Sequence, residues 1–182
     1  MSTLLEFPAT ELADTDFHAF NLAVWEAILA DKDLAALPYR IETDQHGQLI
    51  MSPPPAPGHG NKQIKIGAKL MELTETGEVV SECPISTRLG VKAADIAWCS
   101  QELWERSGEF PCFTECPEIC VEVLSPSNTK GEIEEKKSLY FEAGAKEVWI
   151  CDSVGEMKFF LSDSSESTNN SALVPNFPRK FS

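Results

Sequence analysis

Positive charge is what this chain is short of: 15 Lys and Arg stand against 29 Asp and Glu in 182 residues, a formal net charge of −14. A protein that holds nucleic acid over a broad basic surface needs the opposite balance, because sequence-independent affinity comes from neutralising phosphates. Long apolar runs are missing as well. No segment approaches the ~20 residues of a membrane span, and the N-terminal MSTLLEFPATELADTD has no basic stretch leading into an apolar one. The expectation is therefore a soluble, cytoplasmic chain without a membrane partner. Zinc-ligand spacing is absent too, since the six cysteines (Cys83, Cys99, Cys112, Cys116, Cys120 and Cys151) contain neither a CxxC nor a histidine at ligand distance. Cys99, Cys120 and Cys151 lie in apolar strands and read as small core residues of a reduced chain. The four-residue spacing of Cys112, Cys116 and Cys120 is not read as a metal site, because the last lies in a strand and the other two flank a loop.

With 42% hydrophobic and 24% charged residues, the chain is long enough for one real core. One domain is expected, its core over about residues 36–161, after an N-terminal helical segment (1–35) and before a polar C-terminal tail (162–182). Helical spacing of Phe17, Phe20, Val24 and Ile28 predicts a helix from 14 or 15 to about 30, on which His18 and Trp25 read as packing residues. Segments 39–43 and 48–51 read as a hairpin about the turn 44–47, with Glu42 in its first strand. The proline-rich segment 52–57 must be a loop, either a stiff connector or an extended ligand for a partner. A second helix follows over 58–76, broad enough in apolar surface to lie on a sheet. His59 at its start is either solvated or set where a phosphate is welcome.

Strands are predicted at 78–83, 85–91 and 95–100, with Pro84 and residues 92–94 as the breaks, then a short helix over 100–107 and a loop over 108–116. Asp95 shares a face with Ala97 and Cys99; it is either a solvated strand start or a carboxylate set among small apolar residues. The strand 119–124 is more telling. It is apolar on both faces except at Glu122, and a glutamate so placed needs a partnered cation, a metal or a donor unless the register turns it to solvent. A helix then runs from 128 or 129 to about 143, stopped by Gly144. Ile133, Leu139, Tyr140 and Ala143 form its apolar stripe, Lys136 falls inside that stripe and Lys137 at its edge. EEKK is either a solvated helix face or a lysine aimed at the sheet. A strand at 147–151, a hairpin at Gly155 and a strand at 157–161 follow. SDSSESTNNS reads as a mobile loop or linker. The order fits an α/β fold, a mixed sheet flanked by helices.

The runs MSPPPAPGHG, ADIAW, VEVLSPSN, EKKSLYFEAG and KEVWICD resemble, in order, the motifs of the Uma family of putative restriction endonucleases. That family belongs to the PD-(D/E)XK nuclease superfamily. The resemblance implies a restriction-endonuclease-like fold, with Asp95 the aspartate of the PD half and Glu122 the acid of the (D/E)XK half. Lys136 then serves as the catalytic lysine, moved to the next helix because Leu124 stands where the superfamily usually has it. His59 and Glu42 match accessory positions. Departing from the pattern, Ala94 precedes Asp95 in place of proline.

The reaction this implies is hydrolysis of DNA phosphodiester bonds with Mg²⁺, or Mn²⁺, held by Asp95, Glu122 and the carbonyl of Val123, in a chain that works as a homodimer. Two other readings use the same residues differently. One is a catalytically inactive module that keeps the nuclease fold and offers its acidic surface to a protein partner. The other is a metal-dependent hydrolase of small phosphoesters, which needs no basic groove.

Overall fold

Apolar side chains on both faces place Ile119–Val123 in the middle of a sheet, and all five of these residues are buried. The structure, a computed structural model, describes residues 17–126, 128–164 and 166–181. The predicted start of the first helix at 14 or 15, and the N-terminal segment before it, lie outside the described residues. So do Ser127, Ser165 and Ser182.

In chain order the elements are α1 (Phe17–Ala30), α2 (Lys32–Ala35), β1 (Arg40–Thr43), β2 (Leu49–Ser52), α3 (Pro57–Leu73), β3 (Glu78–Thr87), β4 (Gly90–Cys99) and α4 (Gln101–Ser107). They continue with β5 (Ile119–Val123), α5 (Lys130–Glu142), β6 (Glu147–Cys151), β7 (Met157–Leu161) and β8 (Ser167–Thr168). β1 and β2 form a separate antiparallel hairpin, and the other strands make one sheet in the order β3-β4-β5-β6-β7-β8. Among the described strand pairs β5 and β6 alone run parallel, because α5 carries the chain back between them. Thr129 caps α5 through a reciprocal capping box with Glu132. Gly144 closes it at φ +111°, a left-handed turn that favours glycine.

The two faces of the sheet are covered separately. On one, Ile66 and Leu70 of α3 pack on Ile96, Ile119, Val121 and Val123. On the other, Tyr140 of α5 and Leu103 of α4 pack on Cys120, Val148 and Ile150. A third, smaller cluster joins Val24, Trp25 and Ile28 of α1 to Val91. All six cysteines are free and buried. No helix among the described residues is long and apolar enough to cross a membrane.

Two expectations are corrected. The three strands predicted over 78–100 are one long hairpin, β3 and β4, in one register from Glu78↔Cys99 to Thr87↔Gly90, with the ladder interrupted at Glu82 and Asp95. Pro84 sits inside β3 opposite Ala93, which an edge strand tolerates. The true turn is at Arg88 and Leu89, and Gly90 follows it at φ +91°, where a Cβ would strike the carbonyls of Thr43 and Asp44. Lys92, placed in the predicted break at 92–94, and Asp95, predicted to open a strand, are both buried within β4.

The second correction concerns the C-terminus, read as a polar tail beyond a core ending near 161. Val174, Phe177 and Phe181 belong to the core, and Phe177 stacks at 4.5 Å on Trp149. The buried Glu147 carboxylate anchors this segment by accepting from the backbone N–H groups of Ala172 (2.8 Å) and Leu173 (2.7 Å). The polar run before it adds β8 to the sheet edge. Its composition hid three apolar positions at helix-like spacing downstream.

Candidate active site

The sheet splits at Asp95. Pairing between β4 and β5 ends at Ile96↔Val121, and across the hairpin the alternation of faces slips at the same level. Ala94 and Ala97 lie in one cluster although three residues apart. Opposite, Glu82 takes φ +49°, rare for a residue with a side chain. The fork lets Asp95 reach sideways to β5, rather than standing simply on the face of Ala97 and Cys99. Its Oδ2 accepts the Val123 N–H at 2.6 Å. Val123 thus meets Asp95 through its amide.

The other oxygen, Oδ1, accepts from Arg40 Nη1 at 2.6 Å and lies 3.3 Å from His59 Nε2. Burial alone would raise the Asp95 pKa. The His59 hydrogen bond, the Arg40 charge and the Val123 amide outweigh it and hold the carboxyl below its usual range.

One residue before Val123 along β5, Glu122 is 4% exposed. Lys136 Nζ reaches it from α5 at 3.3 and 3.4 Å, and Tyr140 donates its hydroxyl at 2.7 Å. Lys136 also pairs with Glu42 of β1 at 2.8 Å and donates to the Ala93 carbonyl at 3.1 Å. Burial pushes Glu122 up to about 7, against the lowering pull of Lys136 and with a further rise from the Asp95 charge. Burial would lower Lys136, but Glu122 and Glu42 more than offset it, so its pKa stays raised. Glu42 is held low by Lys136 and by the Ala93 N–H in spite of burial.

All five side chains singled out in the sequence, Asp95, Glu122, Lys136, His59 and Glu42, therefore meet in one buried network at the sheet fork. Lys136 does face the sheet. Lys137, at the edge of the stripe, is also mostly covered, its ammonium 4.1 Å from the centre of the Phe160 ring. Sequence reasoning missed three members. Tyr140 was assigned to the apolar stripe, although its place four residues after Lys136 puts both on one helix face. Arg40, first residue of β1, gave no signal, and neither did Glu82, whose Oε2 lies 3.0 Å from Arg40 Nε.

A family model described as "Putative restriction endonuclease", Uma2, matches residues 31–167. The chain belongs to this nuclease family. Among solved structures, a putative nuclease belonging to DUF820 from Anabaena variabilis is similar with a TM-score of 0.60 at 16% identity, over 70% of this chain and 74% of that one. The shared architecture is the mixed α/β sheet flanked by helices. None of the curated proteins compared matches the chain.

Whether the site suits a divalent cation can be tested on its own atoms. The donors are carboxylate and carbonyl oxygens, the ligands a hard cation takes. Buried His59 Nδ1 has no hydrogen-bond partner. Among the described residues no three His, Cys, Asp or Glu side chains are grouped to hold an ion as they stand, and Arg40 and the Val123 amide engage Asp95. The donor set fits; its present partners include an arginine.

Proposed function

We propose that this chain is an endonuclease of the PD-(D/E)XK type that hydrolyses DNA phosphodiester bonds with Mg²⁺, or Mn²⁺, at the fork. The carrying observation is the convergence of Asp95, Glu122 and Lys136, drawn from β4, β5 and α5, in one buried network. Asp95 and Glu122 would present oxygens to the ion, with the main-chain carbonyl of Val123 as a third. When bound, the ion supplies Lewis acidity to a phosphoryl oxygen and lowers the pKa of an attacking water.

Lys136 does the protein's share of the chemistry. Its ammonium, steered by Glu42 and the Ala93 carbonyl, orients the water and offsets charge at the reacting phosphorus. Glu42 and Tyr140 act as positioning residues, one on Lys136 and the other on Glu122. His59, at the N-terminal end of α3, stands beside Asp95 where a phosphate is favoured by the helix dipole. The net charge of −14 means the substrate must be gripped locally rather than by a general basic field, and a homodimer would supply the second cut of a duplex.

The test compares plasmid, single-stranded DNA and free nucleotides at low salt. Asp95→Ala and Glu122→Ala should abolish Mg²⁺-dependent cleavage. Lys136→Ala should slow it on the order of a hundredfold, ~3 kcal/mol of transition-state stabilisation, with calorimetric Mn²⁺ binding retained. Unchanged cleavage in the Glu122 variant ends this reading. Absence of any metal binding would favour the inactive module, to which the acidic surface also points.

A further inference from the structure

The most unusual cation in the fork is the one that nuclease chemistry does not call for. Arg40 opens β1, the inner strand of the small hairpin, and its guanidinium spans the mouth of the fork. Nη1 donates to Asp95 Oδ1 at 2.6 Å, and Nη2 donates to the Ala93 carbonyl. Two of the oxygens nearest the split are thus engaged by one side chain. A guanidinium and a hard cation both seek oxygens, so the two compete for Asp95 Oδ1.

The Arg40 side chain is also placed to leave. It is 21% exposed at the rim, whereas Asp95 is 1% exposed beneath it. Its Nε lies 3.0 Å from Glu82 without the alignment of a hydrogen bond. Arg40 is thus held by two hydrogen bonds to Asp95 and Ala93 and by an ion pair to Glu82 that lacks a hydrogen bond. The β1–β2 hairpin that carries it is a separate sheet, and β2 is exposed along its whole length.

We infer that Arg40 is an exchangeable counter-cation of the fork: it holds Asp95 in the resting protein and must be displaced before a divalent ion binds. Metal loading is then a competition, and the apparent affinity falls by the fraction of molecules in which Arg40 is engaged. The device keeps a buried aspartate paired when no ion is bound and sets a threshold of free metal below which the site stays closed. It rests on the reading of the fork as a divalent-cation site.

The test is calorimetric titration of the full chain with Mn²⁺, without nucleic acid, in wild type, Arg40→Gln and Arg40→Lys, with circular dichroism to verify folding. Arg40→Gln should bind about tenfold or more tightly, as expected when ~90% or more of the wild-type population is closed by Arg40. Arg40→Lys, which keeps the charge but cannot span both oxygens, should fall between. In wild type, Mg²⁺ should shift the Arg40 Nε–H resonance along one saturable curve, a readout that survives even if the variants fail to fold. Equal or weaker binding by Arg40→Gln, with wild type binding normally, overturns the competition and leaves the metal reading intact. A resonance that does not move while Mg²⁺ binds also overturns it. No binding by any form removes the metal reading and this inference together.

Discussion

Glu122 and Glu147 are buried to nearly the same degree, 4% and 1% exposed, on the adjacent strands β5 and β6, yet their surroundings differ in kind. Glu147 is met only by neutral donors. The Ala172 and Leu173 amides and the Trp149 indole N–H, the last at 2.6 Å, converge on it and tie the C-terminal segment to the sheet. Glu122 is met by an ammonium and a phenol, with Asp95 and Arg40 also within electrostatic reach. A buried acid surrounded by peptide donors is a clasp. One set among mobile charges keeps a changeable protonation state and is available for chemistry.

Removing the clasp should have the largest effect on stability. Glu147→Ala leaves three N–H groups without their acceptor and should cost roughly 3–5 kcal/mol, read by urea melts, while Mn²⁺ affinity in the folded fraction stays unchanged. Lost metal binding in that variant would break the contrast between the two glutamates.

A smaller, pH-dependent effect marks Glu122. Its pKa is raised by folding, from the ordinary 4.5 to about 7, so its contribution is fully present below about 4.5 and is lost as pH rises through about 7. The melting temperature of metal-free wild type should therefore match that of Glu122→Gln at pH 5 and drop below it by pH 8. Asp95 has the opposite sign. Its lowered pKa gives stability at neutral pH that is lost as the solution is acidified below the ordinary aspartate range, so the deficit of Asp95→Asn should close in acid. Parallel curves for the two variants would erase the distinction.

The smallest effect belongs to Tyr140→Phe, which deletes one hydrogen bond to Glu122, worth about 1 kcal/mol. Because that bond favours the ionised carboxylate, carboxyl NMR should find Glu122 titrating higher still in the variant.

Charges that break an apolar pattern were what the sequence made readable. Glu122 inside a two-sided apolar strand and Lys136 inside a helical stripe each violate local periodicity, and each found a partner in the fork. Arg40 violates nothing, since a cation opening a short half-exposed strand is ordinary; only the tertiary approach of β1 to β4 gives it meaning. The register of β3 was hidden for a related reason. Pro84 and Lys92 look like punctuation, and what admits them is an edge position for one and the Thr43 carbonyl, 2.9 Å from Nζ, for the other. Glu147 passed unnoticed because two of its three donors are backbone amides, to which side-chain pattern is blind.

The residues that bury Trp149 have a practical corollary for anyone exchanging parts between family members. The matched region ends at 167, but Phe177, whose ring covers Trp149, and Phe181, whose ring backs Phe177, come after it. A chimaera spliced at that border would separate an indole from its own ceiling, so the natural cut for swapping modules lies beyond Phe181.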